Sequence, residues 1–163
     1  MDPASPSRPA ASPSPPAASP SGPRSGFAEA APNGTTVKDL AGVWTGETLL
    51  TAGDATESTT WAMRVTISPC ARGDTCGELH IATARAGWSG KPESCDYVID
   101  YLGYRETAAD FVFGEKVTGQ SGHHCYSMQL LVMPMPSRER VAVQQLFGQD
   151  YEDSGILRRL ETP

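Results

Sequence analysis

At 163 residues and a formal charge of −6, the chain has room for one domain with a modest core and is too acidic for a nucleic-acid partner. No basic stripe tracks a polyanion, and no apolar run reaches the ~20 residues that cross a bilayer as a helix. The N-terminus also lacks the basic start and apolar stretch of a signal peptide.

Residues 1–36 are dominated by Pro, Ala, Ser and Gly, with Phe27 as the one aromatic. Such a segment buries too little apolar surface to offset its ordering entropy, which predicts a disordered, partly polyproline-like tether. Residues 37–163 then form a single domain. Eight short β-like runs follow one another there, at 42–51, 59–69, 75–84, 95–103, 110–118, 124–133, 139–148 and 154–161. Alternation is clearest at Trp61, Met63, Val65 and Ile67, and it recurs at Tyr97, Ile99 and Tyr101, at Phe111 and Phe113, and at Val141, Val143 and Phe147. Val, Ile, Thr, Tyr and Phe dominate these runs, and the connections have hairpin length. Eight antiparallel strands joined this way predict an all-β, up-and-down barrel, a closure that removes exposed sheet edges.

Strand parity gives the barrel two rims. With the first strand running up, the loops at 52–58, 85–94, 119–123 and 149–153 lie on the upper rim. They carry Trp88, His123, Asp150, Tyr151, Glu152 and Asp153. The loops at 70–74, 104–109 and 134–138 lie below, beside the tether. In a closed barrel the first and last strands are neighbours, so Arg158 or Arg159 is expected to stack on Trp44 and seal the lower end, a structural role.

Four cysteines allow three pairings. Cys70 and Cys76 flank one lower hairpin, and Cys95 and Cys125 open the fourth and sixth strands on the upper rim, so Cys70–Cys76 and Cys95–Cys125 are the expected bridges. The second spans non-adjacent strands and relies on the loop before Cys95 to bring the α-carbons within about 7 Å. A tetrathiolate zinc site would need paired CxxC knuckles, which the sequence lacks, and no metal or other cofactor is expected. Disulfides imply an oxidising compartment and the missing leader implies the cytosol. The conflict resolves if a signal or membrane segment precedes this sequence in its parent protein; an extracytoplasmic location is the expectation, with the cytoplasm as the alternative.

Glu115 follows Phe111 and Phe113 at period two, so its carboxyl should face inward and needs a partner or a proton. Arg158 or Arg64 is the expected counter-ion, with Gln145 and Tyr101 adding hydrogen bonds. The interior and mouth residues proposed to contact a ligand are Trp61, Met63, Trp88, Tyr101, Phe111, Phe113, Glu115, Met128, Gln145 and Phe147, and no catalytic residue is assigned. His123 and His124 are adjacent and point oppositely in a strand, so they do not chelate one ion together. Arg72-Gly73-Asp74 reads as an exposed turn, and Asp150-Tyr151-Glu152-Asp153 as a solvated acidic hairpin.

The segments GVWTGE, WAMRVTI, CGELHI, FVFGEKV, HHCYSMQLLV and GILRRL, taken in order, resemble the small lipocalin-like barrels of actinobacterial extracytoplasmic proteins. Those barrels follow the transmembrane helix and Pro-rich linker of serine/threonine kinases, or form lipoproteins. A Trp-x-Gly opening falls on Trp44 and Gly46, a Glu before a Cys on Glu115 and Cys125, and a closing Leu-x-Arg on Leu157 and Arg159. The likeness covers about 40–161; it departs from the pattern where Cys70 and Cys76 bracket a turn in place of a Tyr-Pro-Cys segment. What it implies is a non-enzymatic binding or sensing module for a small apolar ligand or a cell-envelope protein, without membrane insertion of its own. The alternatives are a cyclase-type enzyme acting by preorganisation in an apolar cavity, and a protease-inhibitor barrel working through a rim loop.

Overall fold

The computed structural model describes residues 26–52, 58–83, 91–122, 125–146 and 151–160. Eight strands, β1 (Gly42–Ala52), β2 (Ser58–Ile67), β3 (Thr75–Thr83), β4 (Ser94–Arg105), β5 (Asp110–Ser121), β6 (Gln129–Pro134), β7 (Arg140–Leu146) and β8 (Tyr151–Arg159), follow the predicted order. Each pairs antiparallel with its successor, and β8 pairs with β1, closing the barrel. Trp44 lies opposite Arg159 and Thr48 opposite Gly155 in that closing ladder. Gly46 and Gly155 permit the close approach: a Cβ on either would meet a carbonyl oxygen of the other strand, Ile156 O at 2.6 Å or Glu47 O at 2.4 Å.

The inward face follows the period-two pattern that the sequence shows. Trp61, Met63, Val65 and Ile67 are all buried, as are Tyr97, Ile99 and Tyr101 on β4 and Val141, Val143 and Gln145 on β7. Below, Phe111 lies between Tyr101 and Tyr104, with ring centroids 6.2 and 5.0 Å away, and Phe113 meets Tyr101 at 5.5 Å. A short 3-10 turn, Val37–Leu40, tucks Val37 and Leu40 under this stack. The Trp44 indole N–H donates to Leu40 O at 2.8 Å.

Three local differences from the sequence expectation have physical causes. Composition placed residues 26–36 in the tether, yet Ala28 bridges to Tyr104 and Ala30 to Thr36. The Arg72 guanidinium lies 5.6 Å from the Phe27 ring centre and donates to Phe27 O and Leu102 O, so Arg72-Gly73-Asp74 is engaged in anchoring this segment. The sixth strand begins at Gln129, not 124, because Cys125 is drawn off the ladder by its bridge to Cys95 and by its N–H bond to Gln120 Oε1. The eighth begins at Tyr151, three residues before its predicted start, so part of the supposed acidic hairpin is barrel wall.

Both disulfides join the expected partners, with α-carbons 5.6 Å apart in Cys70–Cys76 and 5.9 Å in Cys95–Cys125. Most of the loop before Cys95, expected to close the second, lies outside the described residues. After β5 the chain turns at Gly122, with φ of +70°. Among the described residues no helix is long and apolar enough to cross a membrane.

Candidate functional site

Glu115 faces the interior, as its spacing from Phe111 and Phe113 predicts, and only 4 % of it is exposed. Its partner is not an arginine. Arg64 and Arg158 both sit on exposed positions of the outer face, since an even-numbered residue on β8 points away from the interior that holds Leu157. Gln145 supplies the contact, its side-chain amide donating to both carboxyl oxygens of Glu115 at 3.1 and 3.0 Å. Tyr101, the other expected hydrogen-bonding partner, turns its hydroxyl instead to Glu29 O at 3.3 Å.

A second carboxyl lies beside this pair. Asp153 is fully buried on β8 directly across from Gln145 on β7, and its Oδ2 accepts the Thr48 hydroxyl at 2.7 Å. Burial pushes the Glu115 pKa up to about 8, partly offset by the Gln145 bond and reinforced by the neighbouring Asp153 charge. Burial likewise raises Asp153 to about 6, against the lowering effect of Thr48. Tyr97 on β4 completes the group; burial and then the Glu115 and Asp153 charges hold its hydroxyl well above the usual phenol range. The cluster thus contains two carboxyls that resist ionisation and an amide that binds one of them. Such a group can anchor a polar head or exchange a proton near neutral pH.

Of the proposed contact residues, Trp61, Met63, Tyr101, Phe111, Phe113, Glu115 and Gln145 are all buried in the barrel core or its polar cluster. Tyr101, Phe111 and Phe113 form the lower aromatic stack, with Phe113 two residues from Glu115 on the same face of β5. Met128 is partly buried and packs against the core, where its carbonyl accepts the Glu115 N–H at 2.8 Å. Trp88 and Phe147 lie outside the described residues. Asp153, Thr48 and Tyr97 are the residues that the site adds. Counting back by twos from Leu157 reaches Gly155 and Asp153, and counting on from Trp44 reaches Gly46 and Thr48, so the signal was present in both strands.

The lower end is built as expected, with one of the two arginines doing the work. The Arg159 guanidinium stacks 4.4 Å from the Trp44 ring centre and donates to Ala41 O and Asp39 O at 2.7 and 2.9 Å. A cleft of about 730 Å³ opens beside it between residues 33–40 and the β6–β7 connection, walled by Trp44, Pro134, Pro136, Arg138 and Arg140. On the outer wall His80 and Asp96 form a half-exposed pair at 2.6 Å. The buried carboxyl cluster is the group whose chemistry the barrel alters most. No protein-family model and no curated protein matches the chain, so the barrel and its interior chemistry carry the functional reading.

Proposed function

We propose that this chain is a non-enzymatic, extracytoplasmic barrel that binds a small, largely apolar molecule in the upper half of its interior, with the Glu115–Gln145 pair as polar anchor. One observation carries the reading: two buried carboxyls and an amide converge among apolar side chains inside a closed sheet. A barrel that needed only stability would fill that space with hydrocarbon, because a buried polar group at best recovers its desolvation cost. Ligand sites combine an apolar wall with a few convergent polar groups. Two disulfides and the absence of free cysteines suit an oxidising environment outside the cytoplasm. The likeness of the opening Trp44-x-Gly46 and closing Leu157-x-Arg159 to actinobacterial envelope barrels supports the same assignment.

Native mass spectrometry of the full chain, expressed with export to an oxidising compartment, tests this. The expected result is a bound small molecule that is released on denaturation and is lost or reduced in Glu115→Gln, together with no titratable thiol before reduction. An interior that carries nothing, in a protein that melts identically with and without a broad ligand panel, would refute it. A second reading, acid catalysis within the barrel, has one observation in its favour: Glu115 is held substantially protonated near neutral pH, as a general acid requires.

A further inference from the structure

We infer that the ligand taken by this interior carries a protonated amine on an apolar body, the ammonium group lying between Asp153 and Gln145 next to Glu115. The inference rests on the interior-binding reading and adds the ligand's charge. It follows from two buried acceptors that no donor of the protein meets, although the Tyr97 hydroxyl also lies against the Gln145 side chain. The Gln145 amide N–H groups are directed at Glu115, and the Thr48 hydroxyl is given to Asp153 Oδ2. Gln145 Oε1 and Asp153 Oδ1 remain buried and accept no hydrogen bond from the protein. Buried polar atoms without partners are rare because each carries its full desolvation cost.

The two orphaned atoms belong to directly paired residues of β7 and β8. Side chains at such positions stand about 5 Å apart, so one donor group placed between them reaches both. An ammonium brings three donors, no acceptor and a positive charge. A carboxylate ligand would add acceptors and negative charge beside the two unmatched acceptors, and a hydroxyl would add a single donor without charge. No cation of the chain does this work among the described residues. Arg64 and Arg158 are on the outer face, Arg105 is paired with Asp110, and Arg159 is held at the lower end.

The groups facing the cluster set the proton linkage. They are Tyr97 from β4, Asp153 from β8, Thr48 from β1 and Gln145 from β7, while β6 contributes the apolar Leu130. A cation beside Glu115 and Asp153 favours their ionised forms, so binding at pH 7 releases protons and tightens as pH rises from 6 to 8. The acidic balance of the whole chain also raises the local concentration of cations.

The test is calorimetric titration of the full chain with three probes of matched shape: 2-phenylethylamine, 2-phenylethanol and phenylacetate. The expected result is at least a tenfold preference for the amine over the alcohol at pH 7, no phenylacetate binding, and proton release seen as a dependence of the heat on buffer ionisation enthalpy. In Asp153→Asn the preference should fall below threefold while the alcohol binds as before. Equal binding of amine and alcohol overturns the inference and leaves interior binding standing. Tighter binding of phenylacetate overturns it outright. Binding of none of the three also overturns it, the orphaned acceptors then being satisfied by water; interior binding is judged separately by the carried-ligand measurement above. Should Asp153→Asn fail to fold, the wild-type preference and its proton release decide the matter alone.

Discussion

Low in the barrel Tyr101, Tyr104, Phe111 and Phe113 pack ring against ring, whereas higher in the same eight strands two carboxyls and an amide share the interior with Tyr97. The lower half gains from burial of large apolar surfaces and from tilted ring contacts, each favourable without a partner of defined polarity. The upper half accepts desolvation of Glu115 and Asp153 in return for a few directed hydrogen bonds, which leaves two acceptors unmatched. The ring stack is stabilising without partners of defined polarity, whereas the carboxyl cluster carries the chemistry. The contrast is open to direct attack.

The largest effect is expected from emptying the lower stack. Phe111 is fully buried between Tyr101 and Tyr104, so Phe111→Ala should cost about 3–5 kcal/mol, read from urea unfolding. Next come the bridges. Cys95–Cys125 closes a sequence separation of 30 residues and Cys70–Cys76 one of 6. Loop-closure entropy assigns them roughly 3–4 and 2 kcal/mol, so replacing the upper pair with alanines should lower the unfolding midpoint more than replacing the lower pair. If the lower pair proved the more costly, the upper end would not depend on its bridge for order.

The carboxyls give a smaller effect with a characteristic sign. Glu115 rises from 4.5 to about 8 and Asp153 from 3.8 to about 6, so the folded chain binds more protons than the unfolded one between those values. Their contribution is complete below the unfolded pKa values and is lost as pH climbs through the folded ones. The protein should melt several degrees higher at pH 5 than at pH 8.5. Glu115→Gln should flatten that slope and raise the midpoint at pH 8.5, by roughly 1–3 kcal/mol in stability. A melting temperature that increases from pH 5 to 8.5 would place both carboxyls in solvent.

Much of this architecture was legible in the residues, and the reasons for the misses are instructive. Alternation identified the inward face of β2, β4, β5 and β7, because a period of two is imposed by the pleat wherever one face is buried. It also placed Glu115 inside. Gln145 was among its expected hydrogen-bonding partners; the expected arginine is absent because burial can be relieved by raising a pKa and adding a neutral donor instead of a counter-ion. Asp153 was missed for a compositional reason. Its run, Asp150-Tyr151-Glu152-Asp153, has the acidity of a solvated turn, and only parity with Leu157 reveals that one of its members points inward. Residues 26–36 were hidden in the same way, since a Pro- and Ala-rich stretch docks through backbone bridges that composition does not record.

The smallest expected difference separates two adjacent arginines, and it tests the geometry most directly. Arg159 turns under the barrel, stacks on Trp44 and donates to two carbonyl oxygens that close the 3-10 turn. Arg158, one residue earlier, points to solvent opposite Arg140. Arg159→Lys keeps the charge but loses the planar stack and the forked donation, and should cost about 1 kcal/mol. Arg158→Ala removes an exposed cation facing another cation and should stay within about 0.5 kcal/mol of wild type. Thermal melts of the two variants side by side measure this directly. Equal losses would mean that the terminal strand is not held in the register that places Trp44 opposite Arg159, and since Asp153 reaches Gln145 and Thr48 through that same strand, the upper cluster would have to be redrawn with it.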